Sequence, residues 1–102
     1  MKPAKVVWKF PLYFFRRQDG TGSDWVDIVM PIGANVVACQ AQGQVITLWA
    51  ECSPEGAPRR TRRFKVYGTG HPLDETIVHS YIDTVQLEGG ALVMHVYEVF
   101  PQ

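Results

Sequence analysis

Glycine and proline break this chain into short pieces. Polar segments rich in Gly, Pro, Asn, Asp and Ser fall at 16–24, 31–35, 42–43, 53–58, 68–72 and 89–90. Most pieces between them fall short of an ordinary helix of about 11–12 residues. Several alternate apolar and polar positions, which marks a half-buried strand. In 5–10, Val6, Trp8 and Phe10 share one face, and Lys5 and Lys9 share the other. Further strands read at 25–30, 36–41, 45–52, 62–67, 81–87 and 91–100. The expectation is an all-β domain of about seven mostly antiparallel strands, a small sandwich or barrel. One segment leaves room for a helical turn. Leu73, Ile77 and Tyr81 repeat at spacing four, with Asp74 and Glu75 early, so a short turn of helix near 73–80 is the alternative to strand.

Two turns suggest registers. A two-residue loop at Gln42-Gly43 would set Cys39 opposite Ile46. Cys52 then lies six residues further on, about 20 Å away. A disulfide needs Cα atoms within about 7 Å, so Cys39 and Cys52 read as two reduced, partly buried thiols. A turn at Gly89-Gly90 sets His95 opposite Thr84, a hydrogen-bonded strand histidine. Trp8, Trp49 and Phe64 read as core.

The chain, 102 residues long, suits one domain over 1–102. Its hydrophobic share of 46% argues against disorder. No apolar run approaches the roughly 18 residues of a membrane span. Lys9 and Pro11 interrupt what would otherwise be a signal-peptide core, so the expected location is cytosolic. Net charge is zero but divided along the chain. Residues 1–65 hold ten bases and five acids, a net of +5, whereas residues 66–102 hold five acids and no base. Binding to a nucleic-acid duplex calls for a net basic domain, so that role is not expected. A small anion needs only a local patch.

The junction of the two halves carries the candidate site. Arg59, Arg60, Arg62, Arg63 and Lys65 run into Tyr67-Gly68-Thr69-Gly70-His71-Pro72. Alternation puts Arg63, Lys65 and Tyr67 on one face, and Arg62, Phe64 and Val66 on the other. Arginine forks bind phosphates bidentately. Two glycines around Thr69 permit an anion-binding nest, and His71 can donate or accept near neutral pH. An exposed Tyr67 would offer a stacking surface for a base. The candidate ligand-binding residues are therefore Arg63, Tyr67, Gly68, Thr69, Gly70 and His71. The same residues also read as a turn shaped by glycine and as a charged strand edge that resists aggregation. No zinc-ligand spacing joins the histidines and cysteines, and no cofactor is implied. Ser80, His79 and Asp83 lack a nucleophile elbow, so no catalytic residues are expected.

Almost the whole chain resembles a small family of uncharacterised proteins common in phages and prophages. The likeness runs through Trp8-Lys9-Phe10-Pro11-Leu12, Met30-Pro31-Ile32-Gly33-Ala34 and Leu48-Trp49-Ala50. It is closest in 64–72 and closes with 89–99. The 16–24 loop departs from it by its length. The resemblance implies a phage accessory protein in the host cytoplasm. By analogy it implies a homo-oligomeric sponge that sequesters a cyclic nucleotide signal of a host defence such as CBASS or Thoeris, without catalysis. Two other readings stand beside it. One is a protein-binding module that inhibits a host protein or serves as a minor virion component. The other is a small nucleotide-cleaving enzyme, in which His71 and His95 would be the first residues to substitute.

Overall fold

The computed structural model describes residues 4–16, 22–23, 25–53 and 58–101. Most of the polar loops at 16–24 and 53–58 lies outside the described residues. The strands are β1 (Val6–Pro11), β2 (Phe15–Arg16), β3 (Gly22–Ser23), β4 (Trp25–Pro31), β5 (Asn35–Gln42), β6 (Val45–Cys52), β7 (Arg59–Gly68), β8 (Val78–Leu87) and β9 (Leu92–Phe100). They form a three-stranded sheet in the order β1-β6-β5 and a four-stranded sheet in the order β4-β7-β9-β8, and β2 and β3 make a small ribbon. Every pairing is antiparallel. The all-β fold expected from the sequence is present, and of the two expected forms it is the sandwich.

One apolar core lies between the two larger sheets. The three-stranded sheet contributes Cys39, Ile46, Leu48, Ala50 and Cys52, and the four-stranded sheet contributes Met30, Phe64, Val66, Val85, Met94 and Val96. Each set follows the period-two rule along its strand. The same rule turns Trp49 outward, because Leu48 and Ala50 on either side of it are fully buried. Phe64 is buried and Trp8 packs partly buried on the core, but Trp49 is not part of that core. Side-chain hydrogen bonds also tie the two halves of the sandwich together. Arg62 Nη1 donates to the Ala34 carbonyl at 2.6 Å, and the backbone N–H of Glu88 donates to Gln44 Oε1 at 3.0 Å.

The turns give one expected register and correct another. Leu87 pairs with Leu92, and Thr84 faces His95 as expected, because the four-residue connection is centred on Gly89-Gly90. The β5–β6 loop is Gly43-Gln44 rather than Gln42-Gly43, so Cys39 faces Leu48 rather than Ile46. Gly43 takes the left-handed φ of +62°, and a two-residue loop led by glycine suits hairpin twist as well as one that ends in it. Both cysteines are free, as expected, and fully rather than partly buried. Burial, with a smaller contribution from the charge of Asp83, pushes the Cys39 thiol up to about 12.

The 73–80 segment is not helical. A turn at 75–76 leads directly into β8 at Val78. Asp74 Oδ1 accepts from the N–H of Thr76 at 2.9 Å and from its hydroxyl at 2.6 Å. This local turn competes with a first helical turn, and the β-branched run Thr76-Ile77-Val78 favours strand.

Candidate functional site

Strand β7 is interior to its sheet, paired with β4 on one side and β9 on the other. Phe64 and Val66 are buried in the core and Arg62 lies on the same side, which leaves Arg63, Lys65 and Tyr67 on the outer face. The pairing brings outward neighbours to each. Trp25 faces Lys65 and Asp27 faces Arg63 across β4, and Tyr97 faces Lys65 and His95 faces Tyr67 across β9. From β8, Tyr81 faces Tyr97 and Thr84 faces His95. The outer face thus gathers aromatic, basic and hydroxyl side chains from four strands.

Tyr67 is not the exposed platform that its position suggested. It is 7% exposed. Its ring meets His79 and Tyr97 edge-on, with centroids 5.4 and 5.6 Å away. The Asp74 backbone N–H donates to its hydroxyl at 3.2 Å, and His79 Nε2 lies 2.6 Å from the same oxygen. The direction of the Tyr67–His79 bond follows the tautomer of His79. The segment that follows the glycine turn therefore folds back over the ring. The hydrogen bonds of Asp74 Oδ1 to Thr76 lower that carboxyl below its usual value.

The 68–71 turn is closed on itself. His71 N–H donates to the Gly68 carbonyl at 3.1 Å, and Gly70 takes φ +85°, which only glycine adopts freely. One amide that an anion nest would use is therefore already engaged. The His71 ring packs over Gly68 so closely that a Cβ there would meet its Cε1 at 3.1 Å. Thr69 Oγ1 lies 2.8 Å from His95 Nε2, His95 Nδ1 lies 3.0 Å from Thr84 Oγ1, and Thr84 Oγ1 lies 2.6 Å from the Tyr81 hydroxyl. A hydroxyl–imidazole–hydroxyl–phenol chain thus crosses the sheet from the turn to its far edge.

Clefts surround this turn. One of about 420 Å³ is lined by Lys65, Tyr67, Gly68, His71 and Asp74 among others, and one of about 320 Å³ lies between Gly68, Thr69 and His71 and the start of β9. Four of the six expected site residues, Tyr67, Gly68, Thr69 and His71, thus line the clefts, and Gly70 shapes the turn. Arg63 stands apart from them. Its Nε and Nη2 donate to the two carboxylate oxygens of Asp27 at 2.8 and 3.1 Å. Asp27 is held below the usual carboxylate value chiefly by that hydrogen bond, and Arg63 is raised by the same contact.

Trp25 is an exposed aromatic on this face, at 46%, beside the two cations of β7. Arg63 lies 5.3 Å and Lys65 5.8 Å from its ring centre, within cation–π range. Lys65 also reaches Tyr67, at 5.3 Å, so it bridges the two ends of the face. Neither Trp25 nor Asp27 stands among the residues expected from sequence. Their signal was available: Trp25, Asp27 and Val29 alternate with apolar Val26, Ile28 and Met30, which marks an outward triplet.

A separate apolar cleft of about 280 Å³ opens between the sheets near Leu12, Phe14, Val45, Leu87 and Leu92. Among the described residues, no three His, Cys, Asp or Glu side chains gather as metal ligands would, and no helix is long and apolar enough to cross a membrane. No curated protein and no solved structure matches the chain. A family model described as a domain of unknown function, DUF7352, matches residues 3–102, nearly the whole sequence. The chain with this aromatic and basic sheet face belongs to the DUF7352 family.

Proposed function

We propose that this protein binds and sequesters a nucleotide on the outer face of its four-stranded sheet, without transforming it. The observation that carries the reading is Trp25, an exposed indole flanked by the cations of Arg63 and Lys65. An indole stacks a base, for roughly 1–3 kcal/mol, and adjacent cations neutralise phosphate. The clefts lined by Gly68, Thr69 and His71 give the rest of such a ligand a place to lie. In its full form the proposal is a phage accessory protein in the host cytoplasm. It would act as a homo-oligomeric sponge for a cyclic nucleotide immune signal of the CBASS or Thoeris type. The sequence resemblance to phage and prophage proteins supports that setting.

The test is to incubate the protein with cyclic di- and trinucleotides, remove free ligand, heat-denature the protein and analyse what is released. Intact nucleotide released only on heating is the expected result, and Trp25→Ala should reduce retention about tenfold or more. Chemically altered nucleotide would instead indicate an enzyme. If no nucleotide raises the melting temperature, the reading fails.

A protein-binding role is the second reading. Val29 at 56% and Tyr81 at 55% exposure extend the same face with apolar surface. A stoichiometric complex with one purified host or virion protein, weakened by Tyr81→Ala, would favour it.

A further inference from the structure

The Arg63–Asp27 pair does not sit on an open plane. Together with Thr61 and Pro101 it lines a cleft of about 170 Å³ on the outer side of β4 and β7. We propose that this cleft is an anion subsite for one phosphoryl group, and that Asp27 is its built-in competitor. The proposal rests on the nucleotide reading above and specifies how a phosphate would enter beside the Trp25 stack.

The chemistry follows from the geometry. The Asp27 carboxylate presents two oxygens to the Arg63 fork, at 2.8 and 3.1 Å, in the arrangement a phosphate would use. Asp27 therefore occupies the contact that an incoming phosphate wants. Both side chains are nearly half exposed, at 46% for Arg63 and 43% for Asp27, so water can replace one partner as the other leaves. An exposed pair of this kind is weak enough to exchange. Arg63 is held over the Trp25 ring at 5.3 Å, which keeps the guanidinium near the subsite when Asp27 swings away. Thr61 on the cleft wall supplies a hydroxyl donor.

A built-in carboxylate sets a threshold. A neutral nucleoside gains nothing by displacing it, and a multiply charged phosphate gains most. The subsite is thus a filter for anionic charge, distinct from the stacking surface that reads only the base.

The experiment measures binding of ADP, adenosine and inorganic pyrophosphate to the wild type, Asp27→Asn, Arg63→Lys and Trp25→Ala by calorimetry. The Arg63 Nε resonance is followed in parallel. The Asp27→Asn substitution keeps the side-chain shape and removes the competing charge. ADP and pyrophosphate should bind Asp27→Asn about tenfold tighter than wild type, with adenosine unchanged. Arg63→Lys, which keeps charge but loses the fork, should weaken both phosphates. If wild type binds ADP and Asp27→Asn binds it no better, the subsite is wrong and the stacking reading stands. If Asp27→Asn binds pyrophosphate but Trp25→Ala leaves ADP binding untouched, the subsite stands and the stacking reading fails. If neither protein binds any of the phosphates, both fail.

Discussion

Two neighbouring arginines on β7 make the same bond in opposite surroundings. Arg62 points to the inner face and grips Glu98 with two hydrogen bonds of 2.7 Å, where the two side chains are only 12% and 9% exposed. Arg63 points outward and grips Asp27 with a similar fork, where both side chains are nearly half exposed. The inner pair has little water to fall back on, so removing one partner leaves a largely buried charge without its counter-ion. The outer pair trades its partner for solvent with little loss. One strand thus carries a structural ion pair on one face and an exchangeable one on the other, separated by a single residue step.

The comparison breaks most decisively at Glu98. Glu98→Ala should cost about 3–5 kcal/mol by depriving the largely buried Arg62 guanidinium of its carboxylate, measured as a fall in the denaturant midpoint. Replacing Arg62 and Glu98 together with Met and Leu should recover most of that loss. If the single substitution is harmless, the inner pair is not structural. At an intermediate level, Tyr67→Phe removes the hydroxyl that joins Asp74 to His79 on the outer face. It should cost about 1 kcal/mol, with exchange protection of the Asp74 amide falling more than that of β7. Cys39 sharpens the contrast by reactivity. A thiol with its pKa at about 12 should resist a maleimide at pH 8 in the folded protein and react fully in denaturant. The smallest effect belongs to Asp27. Its carboxyl is depressed in the folded state, so its contribution is present above the ordinary value of 3.8 and is lost as pH falls through the lower folded value. Asp27→Asn should therefore lower the melting temperature only slightly at pH 7, because the pair it breaks is exposed. A carboxyl resonance that titrates at or above 3.8 in the wild type would contradict the pairing.

The period-two patterns carried most of the fold in readable form. Alternation around Phe64 identified both faces of β7, and Gly89-Gly90 placed His95 against Thr84 because the loop is symmetric about that pair. What escaped depends on contacts remote in sequence. Tyr67 lies on the outer face as expected, yet it is buried, because Asp74 and His79 return over it from the next segment. Arg63 carried the charge expected of it, but its partner Asp27 lies 36 residues away, and no local pattern signals a cross-strand pairing of that range. Trp25 was readable as a strand position and not as a site, since only the pairing of β4 with β7 brings it beside Lys65.

Strand β8 is irregular between Tyr81 and Asp83. In a regular strand, residues three apart point to opposite faces. The bulge acts as a frameshift in the strand's side-chain code: odd-numbered residues face out before it, and even-numbered residues face out after it. That is why Tyr81 and Thr84 meet at 2.6 Å on one surface, and why the hydroxyl chain from Thr69 through His95 continues to Tyr81. Straightening the bulge without removing a residue would throw one half of the strand out of phase with β9. The outer face would then lose either its tyrosine or its threonine to the core, so absorbing the extra residue in a bulge keeps that surface a single continuous polar line.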